Sequence, residues 1–71
     1  LTWRERQILE VLLEGDGAVV SKERLLRSVW SGTESDPHVV EVTVGRLRRR
    51  LGPAGAGIET VIRRGYRVSH V

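Results

Sequence analysis

Arginine side chains carry the clearest chemistry in this sequence of 71 residues, and in its second half they form two short clusters. A guanidinium group pairs with phosphate oxygens, and it can donate two hydrogen bonds to O6 and N7 of guanine. The pattern therefore indicates a partner rich in phosphate, and duplex DNA offers both kinds of acceptor. The first cluster consists of Arg46, Arg48, Arg49 and Arg50, and the second of Arg63 and Arg64.

Charge is distributed unevenly along the chain, whose net charge is +3. Residues 1–37 carry five cations and seven anions, whereas residues 38–71 carry seven cations and two anions. A basic half is the electrostatic footprint expected for a nucleic-acid partner. A solvated charged surface is the alternative, and the helix dipole also favours arginines in the last turns of a helix.

Catalytic and metal-binding chemistry is poorly supported by the sequence. His38 and His70 are the only imidazoles, and each is expected to be a lone surface residue rather than a metal ligand. The carboxylates are predicted to lie scattered on the outward faces of the first two helices and on loops. Cysteine is absent, and no glycine-rich phosphate loop opens a helix. We therefore predict that the chain is not an enzyme and uses neither a metal nor a cofactor.

Two amphipathic helices are predicted before the arginine clusters. Thr2 followed by Glu5 is a capping box, and Gly15 and Gly17 end the helix that it opens. Ser21 is the predicted N-cap of the second helix. The apolar stripes are Ile8, Leu9, Leu12 and Leu13 on the first helix, and Leu25, Leu26, Val29 and Trp30 on the second.

A third helix carries the first arginine cluster. Asp36 is a predicted N-cap, and Pro37 suits the first helical position. Gly52 ends the helix after about Leu51. The β-branched run over residues 39–44 favours a strand by propensity, but the caps and the helical period decide for a helix. Its predicted buried stripe is Val40, Val44, Leu47 and Leu51, and its predicted outward arc is Val39, Val42, Thr43, Arg46, Arg49 and Arg50.

A β-hairpin carries the second cluster. Residues 58–62 and 66–68 are predicted as its strands, and residues 63–65 join them through a cationic tip. Val19 and Val20 are placed to add a third, very short strand. The predicted fold class is therefore mainly α with a small β part. On duplex DNA the third helix would enter the major groove, and the hairpin tip would enter the adjacent, narrower minor groove.

Four segments, in this order and spacing, resemble the OmpR/PhoB-type winged helix-turn-helix output domain of bacterial response regulators. The resemblance covers nearly the whole chain. It implies a three-helix core with a C-terminal hairpin wing, in which the third helix reads DNA for a transcription regulator. The segments are Leu1-Thr2 with Glu5 and Ile8-Leu9, residues 19–23 with Leu25-Leu26 and Val29-Trp30, residues 40–44 with Leu47-Arg48 and Arg50-Leu51, and Thr60-Val61 with residues 65–67.

The resemblance also implies particular DNA contacts. Val42, Thr43, Arg46 and Arg48 fall where family members touch bases or phosphates. Trp30, through its indole N–H, and Thr60 fall at phosphate-contacting positions, and core packing is the alternative role for Trp30. With the remaining outward arginines and the hairpin tip, the predicted DNA-binding set is Trp30, His38, Val42, Thr43, Arg46, Arg48, Arg49, Arg50, Thr60, Arg63 and Arg64.

Three departures from the family pattern bear on these contacts. His38 stands where an arginine is usual, so a phosphate contact there would be weakened or would depend on pH. Gly45 stands where relatives often carry a polar or basic residue, and it contributes no side-chain contact. Ile62 and Arg63 replace the usual arginine-glycine pair of the wing, which leaves Arg63 or Arg64 as the minor-groove arginine.

We expect residues 1–71 to form a single winged-helix domain, a C-terminal piece of a longer regulator that carries a receiver or another sensor domain. The expected partners are duplex DNA, bound by two copies on direct repeats, and RNA polymerase through the loop at residues 31–35. The expected location is the cytoplasm, at the nucleoid, because no apolar run approaches the roughly 20 residues of a membrane-spanning helix. A module that docks an acidic protein is the alternative function. RNA binding is disfavoured because exposed stacking aromatics are few.

Overall fold

The computed structural model describes residues 1–33 and 35–69, and it contains three α-helices followed by a β-hairpin. This is the predicted order of elements. The bounds are α1 Trp3–Glu14, α2 Lys22–Val29, α3 His38–Leu51, a 3₁₀ helix Gly52–Gly57, β1 Ile58–Val61 and β2 Gly65–Val68. Within the described ranges, no helix is both long enough and apolar enough to cross a membrane.

Helix α1 begins with the predicted capping box, in which Thr2 Oγ1 accepts from the backbone N–H of Glu5 at 3.2 Å. The buried stripe of α1 is narrower than predicted. Ile8 and Leu12 are fully buried, but Leu13 is 48% exposed, so its assignment to the apolar stripe is wrong. Glu5 takes the place of an apolar residue on this stripe, with only 1% of its surface exposed. The prediction that all carboxylates face outward is therefore wrong at this position.

Helix α2 is capped as predicted, because the Ser21 side chain accepts from the backbone N–H of Arg24 at 3.1 Å. Leu25 and Val29 are buried in the core, and Trp30 follows as the C-terminal cap residue of the helix. Trp30 is 6% exposed and belongs to the same core. The C-terminal end of α2 is therefore anchored by a large aromatic side chain.

Helix α3 spans the β-branched run, so the alternative of a strand there is wrong. Asp36 Oδ1 accepts from the backbone N–H of His38 at 2.8 Å, and Pro37 lies in the turn just before the first helical residue. Val40, Val44 and Leu47 are buried at helical spacing, as predicted.

Thr43 was expected on the outward arc of α3, and this expectation is wrong. Its surface is 8% exposed, and its Oγ1 donates to the carbonyl of Val39 at 2.8 Å, one turn earlier. Thr43 follows the buried Val40 by three positions and precedes the buried Leu47 by four, so it extends the core stripe at one margin. Its hydroxyl is satisfied within the helix.

The hairpin pairs β1 with β2 in antiparallel register, from Ile58 opposite Val68 to Val61 opposite Gly65. The predicted strand limits are wrong by one residue on each side of the tip, because Ile62 lies in the loop and Gly65 lies in β2. The loop therefore consists of residues 62–64. Arg63 adopts a left-handed backbone conformation with φ of 65°, at the third position of a β-turn that the Arg64 N–H closes by donating to the Val61 carbonyl at 3.0 Å.

A single antiparallel bridge attaches the hairpin to the segment between α1 and α2. The Val20 N–H donates to the Tyr66 carbonyl at 2.8 Å, and the Tyr66 N–H donates back to the Val20 carbonyl at 3.0 Å. The short third strand was therefore predicted in the correct place. The two backbones approach so closely that a Cβ atom on Gly65 would lie 2.0 Å from the Val20 carbonyl oxygen. Only glycine fits at this position, where φ is also +145°.

Candidate nucleic-acid interface

The centre of the outward face of α3 is a line of four residues: His38, Val42, Gly45 and Arg49. Their spacings of four, three and four positions place them in one row along a helix. His38, Val42 and Arg49 in this line are exposed, and Gly45 between them is half-buried. The buried stripe of α3 lies on the opposite side of the helix. Val42, with 37% of its surface exposed, places an apolar side chain on this face.

Arg46 flanks this line on the side of α1. It is exposed, and it borders a shallow depression that is also lined by Trp3, Arg4 and Thr43. Over the described ranges, the guanidinium groups of Arg46 and Arg49 make no hydrogen bond or ion pair. Both cations are therefore available to an external acceptor.

Arg48 flanks the line on the opposite side, where its guanidinium is bound to the hairpin. Its Nε donates to the Ile58 carbonyl at 3.0 Å, and its Nη2 donates to Thr60 Oγ1 at 2.7 Å. Its Cζ lies 5.8 Å from the centre of the Tyr66 ring. Arg48 and Thr60, both predicted to contact DNA, are thus joined to each other.

Arg50 turns towards α1, although 55% of its side-chain surface stays exposed. Its Nε lies 2.9 Å from Oε1 of the buried Glu5, and the two side chains form an ion pair. Burial tends to raise the pKa of the Glu5 carboxyl, but hydrogen bonds from Thr2 and the charge of Arg50 together lower this pKa below its ordinary value. Arg50 is therefore exposed, as predicted, but its charge is paired with a buried carboxylate.

The hairpin tip presents three exposed side chains, and Ile62 is 81% exposed there. Arg63 and Arg64 border a second depression together with Lys22 and Glu23, which lie in the first turn of α2. The tip therefore lies beside the N-terminal end of α2.

Lys22 lies between the hairpin tip and α3. Its ammonium group pairs with the carboxylate of Glu41, whose second oxygen lies 3.0 Å from Nδ1 of His38. The hydrogen bond from Lys22 lowers the pKa of the Glu41 carboxyl, and the bond from His38 adds to this effect. Because Lys22 pairs with Glu41 of α3 and lines the same depression as Arg63 and Arg64, the hairpin tip lies near this flank of α3.

Trp30 is a core residue that also contacts a cation. The guanidinium of Arg4 lies 5.0 Å from the centre of its ring, and Arg4 Nη1 donates to the Val29 carbonyl at 3.0 Å. Arg4 also lies 5.6 Å from the ring centre of Trp3, which is 63% exposed. The geometry supports the core-packing role of Trp30, and its contact with phosphate stays a prediction. No sequence signal pointed to Arg4, because Val29 and Trp30, which it contacts, lie far along the chain at the end of α2.

Metal chemistry has no site in the part of the chain that the structure describes, where no three His, Cys, Asp or Glu side chains converge. His38 has one carboxylate beside it, that of Glu41, which is too few ligands for a metal ion. His70, the other candidate considered from sequence, lies outside the described residues.

Comparison with known proteins decides the family. Residues 1–68 match the family model described as transcriptional regulatory protein, C terminal. The chain belongs to this family. The resemblance to OmpR/PhoB-type output domains is thereby confirmed, and a family of transcriptional regulators is not an enzyme class.

Individual relatives agree with this membership. CutR of Streptomyces coelicolor, a transcriptional regulatory protein, is 47% identical over 66 residues, which cover 92% of this chain and 30% of CutR. PhoP of Pseudomonas aeruginosa, a two-component response regulator, is 45% identical over 69 residues, covering 93% of this chain and 31% of PhoP. The chain thus spans about three tenths of the length of these relatives.

A solved structure confirms the winged-helix fold of this family member. The DNA-binding domain of E. coli CadC matches with a TM-score of 0.88 at 28% identity, over 100% of this chain and 70% of that chain.

Arg48 is expected to contribute mainly to stability, whereas Arg49 is not. Arg48→Ala removes two hydrogen bonds between α3 and the hairpin, and should lower the free energy of unfolding by about 1–3 kcal/mol. The matched variant Arg49→Ala removes an exposed arginine from the adjacent position, and should change it by less than about 0.5 kcal/mol. Chemical denaturation of both variants measures the difference. Equal unfolding free energies would show that Arg48 does not hold the wing.

The Glu5 and Arg50 pair should make stability fall in acid. Because the folded pKa of Glu5 is lowered, its contribution is fully present above the ordinary value of 4.5 and is lost as the pH falls below it. Glu5→Gln should remove this part of the pH dependence, and Arg50→Ala should reduce it. Denaturation at a series of pH values checks both, with Arg49→Ala as the control that keeps the wild-type profile. An unaltered profile in Glu5→Gln would contradict the assignment.

Proposed function

We propose that this domain binds duplex DNA in a sequence-specific manner for transcription regulation. In this proposal α3 occupies the major groove, and the tip of the hairpin wing reaches the adjacent minor groove. The observation that carries it is the pair of unpartnered arginines on α3, Arg46 and Arg49, together with a cationic hairpin tip that lies near one flank of the same helix.

The major groove accommodates one α-helix, and its floor exposes guanine acceptors and thymine methyl groups. Val42 would supply an apolar contact to a methyl group, and Arg46 is the residue that we assign to a base. Arg49 and the two tip arginines would pair with phosphates or enter the minor groove, which attracts arginine where it is narrow. The amine end of Lys22 and the His38 ring add polar groups along the same edge.

The internal bonds of Arg48, Arg50 and Thr60 change their proposed roles. Arg48 would act by holding the wing at a fixed distance from α3, and its remaining donors would be left for a phosphate. Thr60 is exposed and could still offer its hydroxyl to a phosphate oxygen while it accepts from Arg48. Arg50 would act through α1, because its charge is balanced by Glu5. The DNA-facing set is therefore smaller than the number of arginines indicates.

The partners of the whole regulator are also part of the proposal. Relatives about three times as long support a receiver or another sensor domain in the same polypeptide. We propose that two copies bind direct repeats and that the loop at residues 31–35 meets RNA polymerase. Binding to chromosomal DNA would place the domain at the nucleoid, in the cytoplasm.

Salt titration with a random-sequence duplex tests the electrostatic part of this function. About four phosphate contacts predict that log K falls with log salt with a slope of roughly −4, because bound counterions are released. Arg63→Ala should make the slope shallower by about 0.9, and Arg6→Ala, an exposed arginine on α1, should leave it unchanged. An affinity that does not change with salt concentration would contradict DNA binding and would favour a module that docks an acidic protein.

Arg46→Ala tests whether this side chain reads a base. The highest-affinity duplex recovered from a random pool should lose about 1–3 kcal/mol of binding free energy, and selectivity should relax at one base pair. Arg6→Ala again serves as the control. The same loss on every duplex would instead assign Arg46 to the phosphate backbone.

A further inference from the structure

Gly45 is the only glycine inside the three α-helices, and it lies on the central line of the outward face of α3. Val42 precedes it by one turn and Arg49 follows it by one turn on the same line. Glycine in a helix interior is unfavourable relative to alanine, because its backbone loses more conformational freedom on folding. A reason for glycine at this position must therefore come from packing, backbone geometry or a ligand.

The fold itself does not require glycine at position 45. A Cβ atom added there would meet only Nη2 of Arg49, at an ordinary contact distance of 3.8 Å, and this atom is the end of a flexible side chain. The contrast with structural glycines is large. A Cβ atom on Gly55 would lie 2.4 Å from the Arg48 carbonyl oxygen, and one on Gly65 would lie 2.0 Å from the Val20 carbonyl oxygen. Gly45 also lacks the positive φ found at Gly17, Gly32 and Gly52.

The missing side chain creates a notch in the middle of α3. Its floor is the helix backbone, and the guanidinium end of Arg49 covers one side of it, from which this flexible side chain can move away when a ligand approaches. Any ligand that lies along this face can approach the backbone more closely at Gly45 than at the positions on either side. Close approach of a backbone to a ligand is one of the established uses of glycine.

We propose that Gly45 is the point of closest approach between α3 and the base edges in the major groove, and that it sets how deeply the helix enters. The proposal rests on DNA binding as the proposed function and names the residue that determines the depth. A methyl group at position 45 would hold the helix away from the bases and would weaken the contacts of Val42 and Arg46 at the same time.

Gly45→Ala should have opposite effects on stability and binding. The melting temperature should rise by about 4–8 °C, because alanine favours the helix and meets no obstacle. Affinity for the duplex selected from a random pool should fall at least about tenfold, the scale of one mismatched base pair. Gly57→Ala is the matched control, because its Cβ would also make only an ordinary contact, 3.7 Å from the Ser69 carbonyl oxygen, at the end of the hairpin away from the tip. It should leave affinity unchanged.

A second measurement separates close approach from a role in making room for Arg49. The loss caused by Gly45→Ala should persist in the Arg49→Ala background, since the obstacle lies between backbone and base. Disappearance of the loss in this background would overturn the proposal, and so would a lowered melting temperature or undiminished affinity in Gly45→Ala. Wild-type chain that binds no duplex would instead refute the proposed function, so the two failures are distinguishable.

Discussion

The Arg48 side chain joins the two parts of the molecule that the proposed function needs at a fixed separation. It starts on α3 and ends on β1, where it donates to the Ile58 carbonyl and the Thr60 hydroxyl. The Val20–Tyr66 bridge holds the same hairpin from the other side, against the segment between α1 and α2. A helix and a hairpin that are clamped together can meet two neighbouring grooves without reorganising, which lowers the entropic cost of binding.

A second link, between Glu5 and Arg50, shows how the small core uses charge. The capping box places the Glu5 carboxylate in the interior, where an unpaired charge would be costly. Arg50, near the C-terminal end of α3, supplies the balancing charge and so ties the start of α1 to the end of α3. The arginines of the two clusters are therefore of two kinds. Arg48 and Arg50 maintain the arrangement of the elements, whereas Arg46, Arg49 and the tip arginines remain open to a partner.

The proposed binding surface carries several residues that are locally unfavourable. Gly45 weakens α3, Arg63 adopts a left-handed backbone conformation, and Ile62 exposes most of its apolar surface. None of these features improves the core, which is built from other residues. Natural domains commonly depart from local structural preferences at functional surfaces, and these departures coincide with the outward face of α3 and the tip of the wing.

The sequence by itself determined the order of the helices and the hairpin, and it placed their ends to within about one residue. These features depend on residues within about four positions of each other, as in the Thr2 and Ser21 caps, so they can be read locally. The tertiary structure alone decided the orientation of side chains at the margins of the stripes. Leu13 follows the buried Leu12, and Thr43 precedes the buried Val44, so both lie at the margin of a buried stripe. The elements packed against each helix determine that Thr43 is buried and that Leu13 is exposed. Arg48 and Arg50 likewise found partners in β1 and α1, because long side chains settle on acceptors that folding brings near and that sequence spacing does not reveal.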